Sequence, residues 1–426
     1  MPQPTRMGDM LLTDRSIDVP LDHDHPEKGK IHVFYREVCH VSHRDSDLPL
    51  LIFLQGGPGG SSPRLNRWGM GWVNEAIKHY RVILPDQRGT GRSSRISSRT
   101  ISRFDNSEEA SRYLALFDAR AIIDDFEVIR KRHYDGQRWA TLGQSYGGFL
   151  TLSYLSFAPE ALLRCYITGG LPSIDPDPDE VYRRTYPRVE QKLADYYRRF
   201  PGDEAQINQV ADFLRDNHVC FPNGDPFTVR RFQTLGMMLG MQAASDQLHW
   251  LLEAPFTDET CSELDPYFIL QVQIATGMDG APLYAALQEN IYADPARVTK
   301  WSAQRLRNDR PQFGEHARPL RLTGEMVYPW MFDEIQALRP FRDAVQHLAH
   351  SPGRKPLYDK ARLAENTVPI AAAIYDEDLY VDRELSLATA RHIPHLHYWL
   401  TNEYEHDGLR TDDRVFKRLF SLLQGR

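Results

Sequence analysis

Trp139-Ala140-Thr141-Leu142-Gly143-Gln144-Ser145-Tyr146-Gly147-Gly148 is an apolar run that closes on a serine set between glycines. The run reads as a strand, and the apolar residues from Gly147 to Phe157 read as the helix that follows it. Gly143-Gln144-Ser145-Tyr146-Gly147 fits G-x-S-x-G, in which a serine occupies a sharp strand-to-helix turn. The neighbours must be small for such a turn to close, and the hydroxyl then projects above the sheet edge. The pattern predicts a nucleophile at Ser145. The competing reading is a serine N-cap in an ordinary glycine loop, and the strand before and helix after weigh against it.

Working outward, the chain alternates strands with helices. Within residues 49 to 55, Leu50-Leu51-Ile52-Phe53-Leu54 is a continuous apolar run, followed by Gln55 and ended by Gly56-Gly57-Pro58-Gly59-Gly60, as a strand buried on both faces is. Tyr80 to Leu84 is a second strand, ended by Pro85-Asp86-Gln87-Arg88-Gly89-Thr90-Gly91, with a short helix expected over Trp72 to His79. Between Ser107 and His133, Tyr113, Leu116, Ala119, Ile122, Ile123, Phe126 and Ile129 form a helical stripe. Leu162 to Thr168 is another strand. From Pro172 the texture becomes helical, and strands return only at Val368 to Tyr375 and His397 to Leu400, with helices over Arg383 to His392 and Asp412 to Leu423. This is an α/β chain, expected to form a mostly parallel sheet with helices on both faces. Residues 1–171 and 361–426 would build the sheet unit and 172–360 a large helical cap insertion.

Composition narrows the function. The 426 residues are 41% hydrophobic and 26% charged, with 51 basic and 58 acidic residues interleaved for a net charge of -7. No basic field is available for a phosphate backbone, so a nucleic-acid partner is not expected. No apolar run reaches the ~18 residues of a membrane span, and the opening residues lack the core of a secretory signal. The expected address is the cytoplasm. Cys39, Cys165, Cys220 and Cys261 show no paired spacing, and no HExxH occurs, so neither a metal nor an organic cofactor is expected. Composition leaves the oligomeric state open.

A serine hydroxyl attacks well only when a base removes its proton. Of sixteen histidines, His406 stands where this architecture places the base, in a loop after the last strand and before the last helix; the competing reading is a solvated loop histidine. The acid that orients the imidazole should follow the preceding strand. Asp376, Glu377, Asp378 and Asp382 all qualify. Asp378 is preferred because it lies a few residues beyond the strand end near Tyr375, with Asp376 as the alternative. Two backbone N–H groups should receive the oxyanion, those of Tyr146 and of Gly57 in the glycine turn after Gln55.

Gln55-Gly56-Gly57-Pro58-Gly59-Gly60, Asp86-Gln87-Arg88-Gly89-Thr90-Gly91-Arg92-Ser93, Gly143-Gln144-Ser145-Tyr146-Gly147-Gly148 and the late Asp378 and His406 together resemble the proline iminopeptidase (prolyl aminopeptidase) family of α/β-hydrolases. The resemblance covers residues 30 to 171 and 365 to 426 and extends to Thr323-Gly324-Glu325-Met326-Val327-Tyr328-Pro329-Trp330-Met331-Phe332 in the cap. The family often has His where this chain has Gln55.

The resemblance implies removal of N-terminal proline from a small peptide through an acyl-enzyme. Such an enzyme must hold a free ammonium group, which demands carboxylates. Glu289 and Glu325, both set among aromatics, are the candidates, with Glu334 a weaker third; the bland reading is glutamates facing water. Tyr328, Trp330 and Phe332 would wall a pyrrolidine pocket, unless they are ordinary core. An esterase or amidase for another small acyl compound would share Ser145, His406 and Asp378 without needing the glutamates.

Overall fold

The computed structural model describes residues 3–424. Nine strands form one sheet: β1 (Thr5–Met7), β2 (Met10–Pro20), β3 (Lys30–His40), β4 (Leu50–Leu54), β5 (Arg81–Pro85), β6 (Trp139–Gln144), β7 (Leu162–Thr168), β8 (Ile370–Tyr375) and β9 (Leu396–Thr401). Their spatial order is β1-β2-β3-β5-β4-β6-β7-β8-β9. From β5 to β9 every pairing is parallel. β1, β2 and β3 add an antiparallel extension, in which Met10 to Pro20 pairs with His40 to Lys30.

The continuous apolar runs are explained by two cores, one on each face. Leu50, Ile52 and Leu54 of β4 pack into one core with Ile122, Phe126 and Leu150. Leu51 and Phe53, pointing the other way by the two-residue strand period, join the second core with Trp72, Val415 and Phe416. β4, β6 and β8 are buried at every residue. The long β2 instead alternates buried and accessible positions over part of its length, as a strand with one wet face does.

The stripe over 107–133 is two helices, Ser107–Leu114 and Ala119–His133. Asp118 adopts an extended backbone and caps the second helix, its carboxylate accepting the Ala121 N–H at 2.8 Å. The break frees the Leu116 carbonyl, which accepts from Arg88 Nη1 at 2.7 Å. Arg88 is fully buried and also holds Asp125 through Nε at 2.8 Å and Nη2 at 2.5 Å. The Asp86-to-Ser93 block is thus largely architectural: Asp86 accepts the Ser62 and Arg92 backbone N–H groups, and Ser93 Oγ donates to the Asp86 carbonyl.

β7 and β8 are neighbours, with Cys165 opposite Ile370. The chain therefore leaves the sheet after Thr168 and returns beside the same strand. The intervening elements are helical and begin with Pro178–Arg199. Their docking brings Gly240 to the loop after β9, where the His406 N–H donates to the Gly240 carbonyl at 3.1 Å.

Arg88→Met removes the guanidinium from the buried Asp125 carboxylate and leaves it with His23 Nε2 at 2.7 Å, and breaking such a buried pair costs about 3–5 kcal/mol. Urea unfolding should show that loss relative to the unaltered chain.

Candidate active site

Ser145 follows β6 directly, with φ 57° and ψ −127°, a conformation that side-chain-bearing residues adopt only under constraint. The constraint is close packing. The Ser145 N–H donates to the Thr168 carbonyl of β7 at 3.0 Å, and the Ser145 carbonyl accepts from Gly148 at 2.8 Å. A Cβ at residue 147 would lie 1.8 Å from the Leu54 carbonyl oxygen, so only glycine lets the helix Tyr146–Phe157 start so near β4. The turn after β4 also abuts the serine, since a Cβ at Gly56 would stand 2.8 Å from Ser145 Cβ. Gly57, at φ 131°, turns the chain away again.

His406 Nε2 lies 2.8 Å from Ser145 Oγ, and His406 Nδ1 lies 2.9 and 3.1 Å from the two Asp378 oxygens. Asp378 further accepts the Tyr380 and Val381 N–H groups at 2.8 and 3.1 Å, which fixes the carboxylate in the loop after β8. His406 and Asp378 are both buried. Burial alone would depress the imidazole pKa, but the charge and hydrogen bond of Asp378, with a contribution from Glu325, hold it above its ordinary value. A serine, a base and an orienting acid in hydrogen-bonded sequence are the parts of nucleophilic acyl transfer.

The other acids in that loop are engaged elsewhere. Asp376 pairs with Arg383, Glu377 lies 3.6 Å from Lys192, and Asp382 caps the helix Arg383–His392 by accepting the Leu385 N–H at 3.0 Å.

The model for the alpha/beta hydrolase fold matches residues 49–255. Over 95% of its length the chain is 40% identical to a proline iminopeptidase of Aeromonas sobria, covering 94% of that protein. It is 31% identical to a proline iminopeptidase of Aspergillus aculeatus, with 98% of this chain and 95% of the relative covered. This chain belongs to the proline iminopeptidase family. A proline iminopeptidase of Arabidopsis thaliana, 28% identical, matches over 38% of this chain and 42% of its own.

Measured against that family, the three glutamates expected to hold an ammonium group differ sharply in place. Glu325 lies within electrostatic reach of His406 and Asp378. Its accessibility is intermediate, yet desolvation pushes its pKa up to about 7 against a hydrogen bond from Tyr284 and the charge of His406. Tyr284 donates to Glu325 Oε1 at 2.7 Å.

Glu289 is buried, and desolvation likewise lifts it to about 7. Its oxygens accept the Ser302 and Ala303 N–H groups at 3.1 and 2.9 Å, so the carboxylate caps the helix Ser302–Asn308. Its charge still reaches Tyr182 and Tyr292, which also feel Glu325.

Glu334 is a correction: its carboxylate is taken by Arg230 and by Thr228 Oγ1 at 3.0 Å, an ion pair inside the insertion. The aromatic wall needs the same revision. Tyr328 bonds the Tyr186 hydroxyl at 3.1 Å and stacks on Trp330, while Phe332 packs on Trp301. All three are buried in the core of the insertion, because an aromatic run beside a glutamate also suits a helix-packing seam. A cavity that reaches Tyr380, the ring against His406, is lined among others by Phe149, Val181, Ile291, Tyr292 and Tyr358. Tyr380 stands edge-on to His406, 4.6 Å between ring centres, and its hydroxyl donates to the Met237 carbonyl. No periodicity or motif marks these side chains; they come from five separate stretches that only folding assembles.

Asp378→Asn should lower kcat by about 10⁴-fold, because the imidazole loses the acceptor that fixes its tautomer. Asp376→Asn, which breaks only the pair with Arg383, should leave kcat within a few-fold of the unaltered enzyme in the same steady-state assay.

Proposed function

We propose that Ser145, His406 and Asp378 are the catalytic triad of a serine aminopeptidase that releases N-terminal proline, and that Glu325 binds the substrate's ammonium group. The observation that carries this reading is the hydrogen-bonded Ser145–His406–Asp378 chain lying within electrostatic reach of a carboxylate from the irregular segment of the insertion that precedes Met331–Glu334.

In this mechanism His406 takes the proton from Ser145 Oγ as the oxygen attacks the prolyl carbonyl carbon. The oxyanion that forms is received by the N–H of Tyr146, which opens its helix and so lacks an intrahelical acceptor, and by that of Gly57 in the adjoining turn. His406 then protonates the departing peptide amine. Water, deprotonated by the same imidazole, cleaves the acyl-enzyme and frees proline.

Glu325 anchors the cationic end so that only the first carbonyl reaches Ser145. Glu289, committed to its helix, adds negative potential. Tyr292 and Tyr380 are the walls we assign to the pyrrolidine ring. Residues 1–171 and 361–426, which supply all nine strands, are the unit we assign to catalysis, with 172–360 as the cap.

A cytoplasmic setting is supported by four free cysteines and by the lack, among the described residues, of a helix long and apolar enough to cross a membrane. The dispersed charge supports a small-peptide partner and no nucleic acid.

With prolyl arylamide and its N-acetyl derivative as substrates, the unaltered enzyme should cleave the free-amine compound and spare the blocked one, and Ser145→Ala should cleave neither. Glu325→Gln should lower kcat/KM for the free amine by about 10- to 100-fold, the worth of one charge-assisted hydrogen bond. If discrimination between the two substrates survives that change, Glu325 is not the amine-binding group; if the unaltered enzyme cleaves both substrates alike, an esterase or amidase reading replaces this one.

The pH profile follows from two ionisations. Glu325, at about 7, must be charged to bind the cation, and His406, raised above its ordinary value, must be neutral to accept the serine proton. Both requirements fail as pH falls, so kcat/KM should drop steeply below about 7. In Glu325→Gln the surviving acid limb should be shallower and lie at lower pH, since the charge that raises His406 is gone.

A further inference from the structure

The site holds a buried acceptor that the mechanism above does not use. Gln288 follows Tyr284 by one helical turn, so both side chains lie on one face of the segment that begins at Pro282. Tyr284 donates to Glu325 Oε1 at 2.7 Å, and the Gln288 amide lies near enough to the same carboxylate to lower its pKa slightly. Gln288 is 1% exposed, and its Oε1 has no hydrogen-bond partner. An amide oxygen buried without a donor is rare in native interiors and marks a place where a ligand supplies one.

We propose that Gln288 Oε1 is the second acceptor for the substrate's ammonium group, taking one N–H while Glu325 takes the other, so that the site matches a secondary amine. Prolinium carries two N–H bonds on its ring nitrogen, whereas other N-terminal residues carry three. Two acceptors satisfy the first and leave a buried N–H of the second unpaired, which disfavours it. The neighbouring Tyr182 hydroxyl is also buried without a partner. It lies under the influence of Glu289 first and Glu325 after, and it can rotate as donor or acceptor. The Gln288 oxygen is an acceptor only.

This inference rests on the ammonium-binding reading of Glu325. Its test compares prolyl arylamide, N-methylprolyl arylamide, which keeps the charge but has a single N–H, and an aryl ester of cyclopentanecarboxylic acid, which has neither. In the unaltered enzyme N-methylation should lower kcat/KM by about 10- to 100-fold. In Gln288→Leu the prolyl compound should fall by a similar factor, the N-methyl compound should change little, and the cyclopentanecarboxylate ester should be cleaved as before, which shows that the triad is intact. Gln288→Glu, which keeps an acceptor oxygen at that position, should restore the preference for the unmethylated amine. Equal losses on all three substrates in Gln288→Leu would reduce Gln288 to a structural role and overturn the proposal, as would an unchanged rate on the prolyl compound. If the unaltered enzyme cleaves N-acetylprolyl arylamide as fast as prolyl arylamide, the ammonium-binding reading itself fails and takes this one with it.

Discussion

The carbonyl oxygen of Leu54 stands where a Cβ on residue 147 would have to be. That single close approach sets how near the helix Tyr146–Phe157 starts to β4, and hence how tightly the chain turns at Ser145. The serine takes up a left-handed φ because β7 holds its N–H on one side and Gly148 holds its carbonyl on the other. Side-chain hydroxyl, oxyanion donors and sheet edge are then related by rigid backbone, whose geometry does not need to be rebuilt when substrate arrives. A larger residue at 147 would separate helix from strand and move Ser145 away from an imidazole now 2.8 Å away.

Around this elbow the carboxylates are sorted by what else they touch. Asp378 is held by two backbone amides and an imidazole, Glu289 by two amides at a helix start, and Glu334 by a guanidinium. Each is hydrogen-bonded or ion-paired within the protein, although desolvation still lifts Glu289 to about 7. Glu325 has only a tyrosine hydroxyl and the Gln288 amide beside it and sits in a poorly solvated space. In the function we propose, a protonated substrate N-terminus supplies the cation that this carboxylate lacks.

The helices between β7 and β8 do more than cover the triad. The carbonyls of Met237 and Gly240 accept from the Tyr380 hydroxyl and the His406 N–H, Gln242 N–H donates to Asp407 at 2.8 Å, and Lys192 reaches Glu405 at 2.5 Å. The loop that carries the general base is thus bonded on one side to the inserted helices and on the other, through Arg410 and Gln144 at 2.9 Å, to the elbow. A change in the seating of those helices would be felt directly at His406.

The sequence by itself determined the elements built from local rules. Apolar runs marked β4 to β9, with glycine or proline closing those of β4, β5, β6 and β7, G-x-S-x-G marked the elbow, and chain order singled out His406; the runs and the motif are each legible within a few consecutive residues. Short-range pattern said less where two readings share one pattern. The wet face of β2 hid an antiparallel extension, and Asp118 broke a continuous helical stripe by capping, a choice favoured by Arg88, which approaches from another element. Only the tertiary structure decided between Asp376 and Asp378, separated Glu325 from Glu289 and Glu334, moved Tyr328, Trp330 and Phe332 into the core, and brought Tyr380, Tyr284 and Gln288 to the site. Those outcomes depend on which partner each side chain meets across the fold, and a carboxylate carries no mark in its own neighbourhood of whether that partner is a guanidinium, a helix start or an empty cavity.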